Sequence, residues 1–187
     1  GAYLGFPVTS VIAPQTVTVI GDSAFFYCDS LTSVLFPHAT TIGDGAFYNC
    51  LSLTSVSLPQ ATTIGNSAFA DCFSLASVSL PHAQTVGAYA FYSCTSLTSV
   101  HMGQNAPAEA VAVFADIATP PTVYVTNPQA TGWGAVWNGA PVVRPPLYGS
   151  NVTAQAFTLN GDTITEWPSG GATNITDGVT SGTYSEA

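Results

Sequence analysis

The sequence predicts a repeat solenoid, with one parallel β-strand and one short helical turn per coil, and three observations predict it. The first is a fixed period. From Ile20 the chain reads IGDSAFFYCDSLTSVLFPHATT, from Ile42 IGDGAFYNCLSLTSVSLPQATT, from Ile64 IGNSAFADCFSLASVSLPHAQT and from Val86 VGAYAFYSCTSLTSVHMGQNAP, a repeat of 22 residues. The second is register: Cys28, Cys50, Cys72 and Cys94 keep their place in each copy, as do Phe25, Phe47, Phe69 and Phe91. The third is a face that no single coil can bury. Ile42, Ala46, Phe47, Cys50, Leu53, Val56, Leu58 and Ala61 form one apolar column per coil, and only stacking on neighbours removes it from water.

Taken in chain order, the array opens on a half repeat. Ser10-Val11-Ile12-Ala13-Pro14-Gln15 matches Ser33-Val34-Leu35-Phe36-Pro37-His38, with one extra residue before Ile20. Within a coil, Leu53, Val56 and Leu58 alternate with Ser55 and Ser57, so the apolar set points in and the serines point out. Pro59 ends the strand, where no ladder hydrogen bond is required of it. Gly43 is expected at a turn that needs permissive backbone angles, and Asp44 as the N-cap of the helical turn after it. Ala46, Phe47 and Cys50, spaced i, i+1 and i+4, predict one inward face of a single helical turn.

The motif IGDxAFxxCxSLTSVxLP resembles the BspA-like class of leucine-rich repeats found on bacterial surface proteins, over about residues 9–102. Repeats of that class are usually one residue longer, as the join at residues 14–20 is here, a difference that alters turn detail only. The resemblance implies cell-surface or extracellular display, with roles in adhesion, host or matrix-protein binding, and co-aggregation. It implies no catalytic residues.

The repeats, assigned to residues 1–102, lose their pattern at His101-Met102-Gly103. Residues 103–146 read as a C-terminal cap: a short helix over Ala106–Phe114, a last strand over Thr122–Thr126, and the bulk of Trp133 and Trp137 to cover the last coil. Residues 147–187 form a β-rich tail. Its alternating runs Ala154–Leu159 and Asp162–Trp167 flank Asn160-Gly161, a strong hairpin signal. A lone hairpin is marginal in water, so Phe157, Leu159, Ile164 and Trp167 are expected to pack on a neighbouring subunit or against Trp133 and Trp137.

Composition excludes several functions. Only 6% of residues are charged, Arg144 is the one basic residue, and the net charge is -9. Phosphate backbones and anionic membrane surfaces are repelled, so nucleic acid is not expected as a partner. No run of about 20 apolar residues exists to span a bilayer. The chain begins at Gly1 without an initiating Met or a signal-peptide pattern, the expectation being a processed chain or a fragment. Asn151-Val152-Thr153 and Asn174-Ile175-Thr176 are N-glycosylation sequons whose use depends on the host.

Each chemical constellation has a plainer competitor. Stacked coils place equivalent cysteines about 5 Å apart, within disulfide range. Their inward column nevertheless favours buried free thiols. Zinc is not expected, because single-file cysteines cannot form a tetrahedron, and no cofactor is expected. His38 and His82 lie two coils apart with Gln60 between them, a polar column and not a metal pair. Asp22 and Asp44 line one edge and do not converge on a pocket, so no enzyme is expected.

Surface remains. The outward strand positions Ser33, Leu35, Ser55, Ser57, Ser77, Ser79, Ser99 and His101, flanked by Thr32, Thr54 and Thr98, are the candidate ligand-binding face, taken as concave. Phe26, Tyr48 and Tyr92 form one possible interface column on the opposite side, and Leu51 and Phe73 another. Each face has a structural reading as well: hydroxyls give solubility without charge, and the rings shield the turns. Two functions are compatible with such surfaces. One is an adhesion module binding a protein or glycan. The other is a self-assembling subunit, a homo-oligomer of a fibre, filament or phage-like appendage, whose uncharged edge strand templates another.

Overall fold

The computed structural model describes residues 7–108, 111–126 and 130–144, and four strand segments farther on, 157–159, 162–164, 173–176 and 181–184. The chain divides into two units, Gly1–Pro145 and Pro146–Ala187. The first is a parallel β-solenoid. Strands β1 (Ser10–Ile12), β3 (Ser33–Leu35), β5 (Ser55–Ser57), β7 (Ser77–Leu80), β9 (Ser99–Met102), β10 (Thr122–Val125) and β12 (Ala140–Val143) pair in that order in one parallel ladder. The two-residue β11 (Val136–Trp137) closes its far edge, antiparallel to β12. A second strand per coil was not anticipated. β2 (Val19–Ile20), β4 (Thr41–Ile42), β6 (Thr63–Ile64) and β8 (Thr85–Val86) stack as a four-stranded parallel sheet, with Ile20, Ile42, Ile64 and Val86 turned inward.

The turns correct one expectation. No helical turn forms at Ala46–Cys50, because alternate amides are committed sideways. The N–H groups of Gly45, Phe47 and Asn49 donate to the carbonyls of Asn66, Ala68 and Ala70 in the next coil, each at 2.8 Å. Those of Ala46, Tyr48 and Cys50 donate only three residues back, to Gly43, Gly45 and Phe47. The next coil repeats this through Ser67, Phe69 and Asp71. Such a string of β-turns needs left-handed residues at regular intervals, and Ser23, Tyr27, Gly45, Asn49, Ser67, Asp71, Tyr89 and Ser93 supply them, with φ between 51 and 59°. Only one of these is glycine. Short polar side chains fill most of the others, as steric tolerance of that region favours.

Gly43 and Asp44 also act differently from expectation. Gly43 is not left-handed; like Gly65 it lies where the preceding coil's backbone presses in. A Cβ on Gly65 would stand 2.6 Å from the Gly43 carbonyl carbon and 2.7 Å from the Asp44 nitrogen. Asp44 does not cap its own coil. Its Oδ1 accepts the Asn66 N–H at 2.7 Å, just as Asp22 accepts the Asp44 N–H at 2.9 Å and Asn66 the Ala88 N–H at 2.9 Å. These side chains satisfy turn amides one coil on, which buried or crowded backbone requires.

The core is a pile of equivalent residues. Phe25, Phe47, Phe69 and Phe91 stack with ring centroids 5.1, 5.1 and 5.4 Å apart and planes within 5° of parallel. Phe114 continues the pile and Trp137 closes it edge-on. Leu31, Leu53, Leu75 and Leu97 form a second fully buried column.

Of residues 103–146, read from sequence as a cap, the described ones carry the same winding onward. Val123 and Val125 of β10 pair with Val100 and Met102 of β9, and all four are buried. The described part of Ala106–Phe114 is not helical. Tyr89 and Phe91 donate to the Val111 and Val113 carbonyls, and Ala112 is left-handed, so this segment repeats the cross-coil turn. Asn138-Gly139, with φ of 49 and 81°, is the two-residue hairpin loop joining β11 to β12.

In the second unit, β13 (Phe157–Leu159) pairs antiparallel with β14 (Asp162–Ile164), Phe157 opposite Ile164. β15 (Thr173–Thr176) pairs antiparallel with β16 (Ser181–Tyr184). The side-chain packing expected of Phe157, Leu159, Ile164 and Trp167, and the sequon Asn151, lie outside the described residues.

Candidate ligand-binding face

The outward residues of the eight-stranded sheet form two rows. One contains Ser10, Ser33, Ser55, Ser77, Ser99 and Thr122. The other runs Ile12, Leu35, Ser57, Ser79, His101, Tyr124 and Val143, each in register with the next. Ser55, Ser57, Ser77, Ser79 and His101 are exposed, whereas Ser33, Leu35 and Ser99 are half-buried. None of the thirteen side chains carries an acid, lysine or arginine.

Hydroxyls on this side divide into two sets. Those of Thr32, Thr54 and Thr98, at the strand entrances, donate to the carbonyls of Thr9, Thr32 and Ala76 one coil back, at 2.8, 3.1 and 3.2 Å. They hold coils together. Among the described residues, no serine hydroxyl of the two rows makes such a bond, so all remain available to a partner.

Tyr124 is the residue that sequence reasoning missed. It is 39% exposed, lies beside His101 in register, and stacks on it with centroids 5.2 Å apart and planes 18° apart. The alternation of Thr122-Val123-Tyr124-Val125 was the available signal.

The opposite columns lie over the turns. Phe26 and Tyr48 stack at 5.1 Å, and both are half-buried, as are Tyr92 and Leu51. Ala70 interrupts the first column and is fully buried, whereas Phe73 is 42% exposed. A hydrogen bond to Asp71, then burial and the Asp71 charge, hold the Tyr48 hydroxyl above its usual pKa. The Asp116 charge, followed by burial, does the same for Tyr92. Both phenols stay protonated through the neutral range.

Cys28, Cys50, Cys72 and Cys94 are buried, with no disulfide among them. The thiols of Cys50, Cys72 and Cys94 donate to the carbonyls of Phe25, Phe47 and Phe69, at 3.1, 3.2 and 3.0 Å, which explains a cysteine in every coil. Burial pushes Cys50 and Cys94 up to about 12, and Cys72 well above its ordinary value. Thiolate is the reactive form, so iodoacetamide at pH 8 should leave these three unmodified in the native chain. After unfolding without reductant all four should react; thiols that stay unreactive would indicate disulfides. Their raised pKa also fixes a sign. The unfolded state sheds these protons first, so stability present below pH 9 should decline from there towards 12.

At the N-terminal end, a cavity of about 530 Å³ opens beside β1, lined by Val8, Val11, Ala13, Val17, Ile20 and Phe25. Ile12 and Val19 are among the most exposed apolar residues, at 77% and 59%.

Stacked coils with an L-x-x-V-x-L strand and an uncharged outward sheet define a leucine-rich repeat protein. Its residues 1–117 match the family model of the BspA type leucine rich repeat region in six copies, and the chain belongs to that family. No curated protein matches it. It is similar to two solved structures. One, a leucine-rich cell surface protein from Faecalibacterium prausnitzii A2-165, is 30% identical over 54% of this chain and 28% of that one, with a TM-score of 0.49. The other, a leucine-rich repeat protein from Bacteroides ovatus ATCC 8483, is 22% identical over 74% of this chain and 43% of that one, with a TM-score of 0.55; it supports the fold. The chain thus spans less than half of either.

Proposed function

We propose that the chain is a non-enzymatic module displayed on a bacterial surface, adhering to an extracellular protein or glycan through the outward face of the eight-stranded sheet. The carrying observation is the contrast among hydroxyls: the entrance threonines are bonded within the chain, whereas the serines of the adjacent rows make no such bond and most are exposed. Membership of the BspA type family supports display. The test is binding to immobilised matrix proteins and glycoproteins. The pair Ser57→Arg and Ser79→Arg, which places bulk and charge mid-face, should reduce capture at least about tenfold. Thr63→Arg with Thr85→Arg, on exposed positions of the four-stranded sheet, should not. Equal loss in both variants, or in neither, contradicts the proposal.

One observation favours self-association as a second reading. Among the described residues β1 pairs only with β3, and Ile12 and Val19 are exposed beside the apolar cavity. Pairing of that edge with the edge of another copy would extend the sheet between subunits. Sedimentation across a concentration series separates this reading from the first.

A further inference from the structure

We infer that the stretch of sheet between Leu35 and His101 is a subsite for a neutral oligosaccharide, an inference that rests on the strand face being the binding surface. Leu35, Ser57, Ser79 and His101 occupy successive strands of one row. Strand spacing sets Leu35 and His101 about 14 Å apart. Two small exposed serines lie between two larger side chains, so the row is notched for the width of two coils. Ser55 and Ser77 widen the floor beside them. One end of the notch is an aromatic wall. Tyr124 backs the His101 ring on one side, leaving its other side towards Ser79.

This arrangement matches the two surfaces of a pyranose. Its C–H face packs on an aromatic ring, and its hydroxyl edge needs groups that both donate and accept, as serine hydroxyls do. Other ligand classes fit less well. An anion finds no cation on either row, and Arg144, the chain's single cationic side chain, donates to the Trp133 carbonyl. A charged peptide would leave its charges unpaired against the sheet. The side chains of an apolar peptide would cover hydroxyls without satisfying them, leaving that to its backbone alone.

The experiment is calorimetric titration of the full chain with three neutral probes: cellotetraose, chitotetraose and lacto-N-tetraose. At least one should bind. His101→Ala should weaken that binding about tenfold or more. Tyr124→Ala should weaken it less, since only the backing of the wall is lost. Ser79→Tyr should fill the notch and abolish binding, with circular dichroism showing that each variant stays folded. Absence of heat with all three probes at about 10 mM overturns the inference, as does His101→Ala binding like the parent. If Ser57→Arg with Ser79→Arg still loses glycoprotein or matrix-protein capture while no probe binds, the face remains a binding surface and only its assignment to carbohydrate falls.

Discussion

Gly65→Ala is expected to cost about 1–3 kcal/mol, whereas Gly21→Ala, at the equivalent position of the first full repeat, should change stability by less than about 0.5 kcal/mol. The two glycines are equivalent in sequence and differ in what stands behind them. A methyl on Gly65 would overlap the Gly43 and Asp44 backbone at 2.6–2.7 Å, but one on Gly21 would meet nothing within 4 Å. Overlap with a flexible side chain is relieved by a rotamer change. Overlap with backbone is relieved only by separating two coils, which lengthens the Gly65 N–H bond to the Ile42 carbonyl and the Asn66 bond to Asp44 together. Urea denaturation of the parent and both variants measures the difference. Equal midpoints for the two variants would mean that the coils do not press together at Gly65.

Phe69→Ala should destabilise the chain by roughly 3–5 kcal/mol, the range for emptying a large aromatic site. Phe69 is fully buried at the centre of the ring pile, 5.1 Å from Phe47 and 5.4 Å from Phe91, so its removal takes a stacking partner from both neighbours. In a nearest-neighbour solenoid the damage spreads along the axis, and amides of the coils on both sides should exchange faster. Phe25→Ala should cost less, because Phe25 is 6% exposed whereas Phe69 is fully buried. A loss under about 1 kcal/mol at Phe69 would show that the pile is not the core.

What the sequence disclosed depended on repetition. Columns such as Cys28–Cys94 and Phe25–Phe91 give the period, the inward face and the stacking axis, because a coil that buries nothing alone must place equivalent residues together. Features that recur without a side-chain signature stayed hidden. The strand Thr41–Ile42 is too short to show alternation, and left-handed positions filled by Ser67, Asn49 or Asp71 look like ordinary polar turn residues. The helical expectation at Ala46–Cys50 came from side-chain spacing alone, whereas the amides of Gly45, Phe47 and Asn49 are claimed by the next coil. For the same reason Gly43 reads as a turn residue needing permissive backbone angles until the preceding coil is placed behind it. In the candidate face, the serine rows followed from the two-residue period of a strand. The same alternation turns Tyr124 outward, but its place beside His101 lies beyond residue 102, where the LTSV pattern ends, and its register with β9 is visible only in three dimensions.

The proposed function requires partners to meet the outward face of the eight-stranded sheet and not the aromatic columns over the turns. Two-dimensional amide NMR of the isotope-labelled chain, titrated with the matrix protein or glycoprotein that the immobilised panel identifies, tests it directly. Shifts and broadening should concentrate at Ser55–Ser57, Ser77–Leu80, Ser99–Met102 and Tyr124, with Phe26, Tyr48, Phe73 and Tyr92 unmoved. Changes confined to those four turn residues, with the strand amides unmoved, would contradict it.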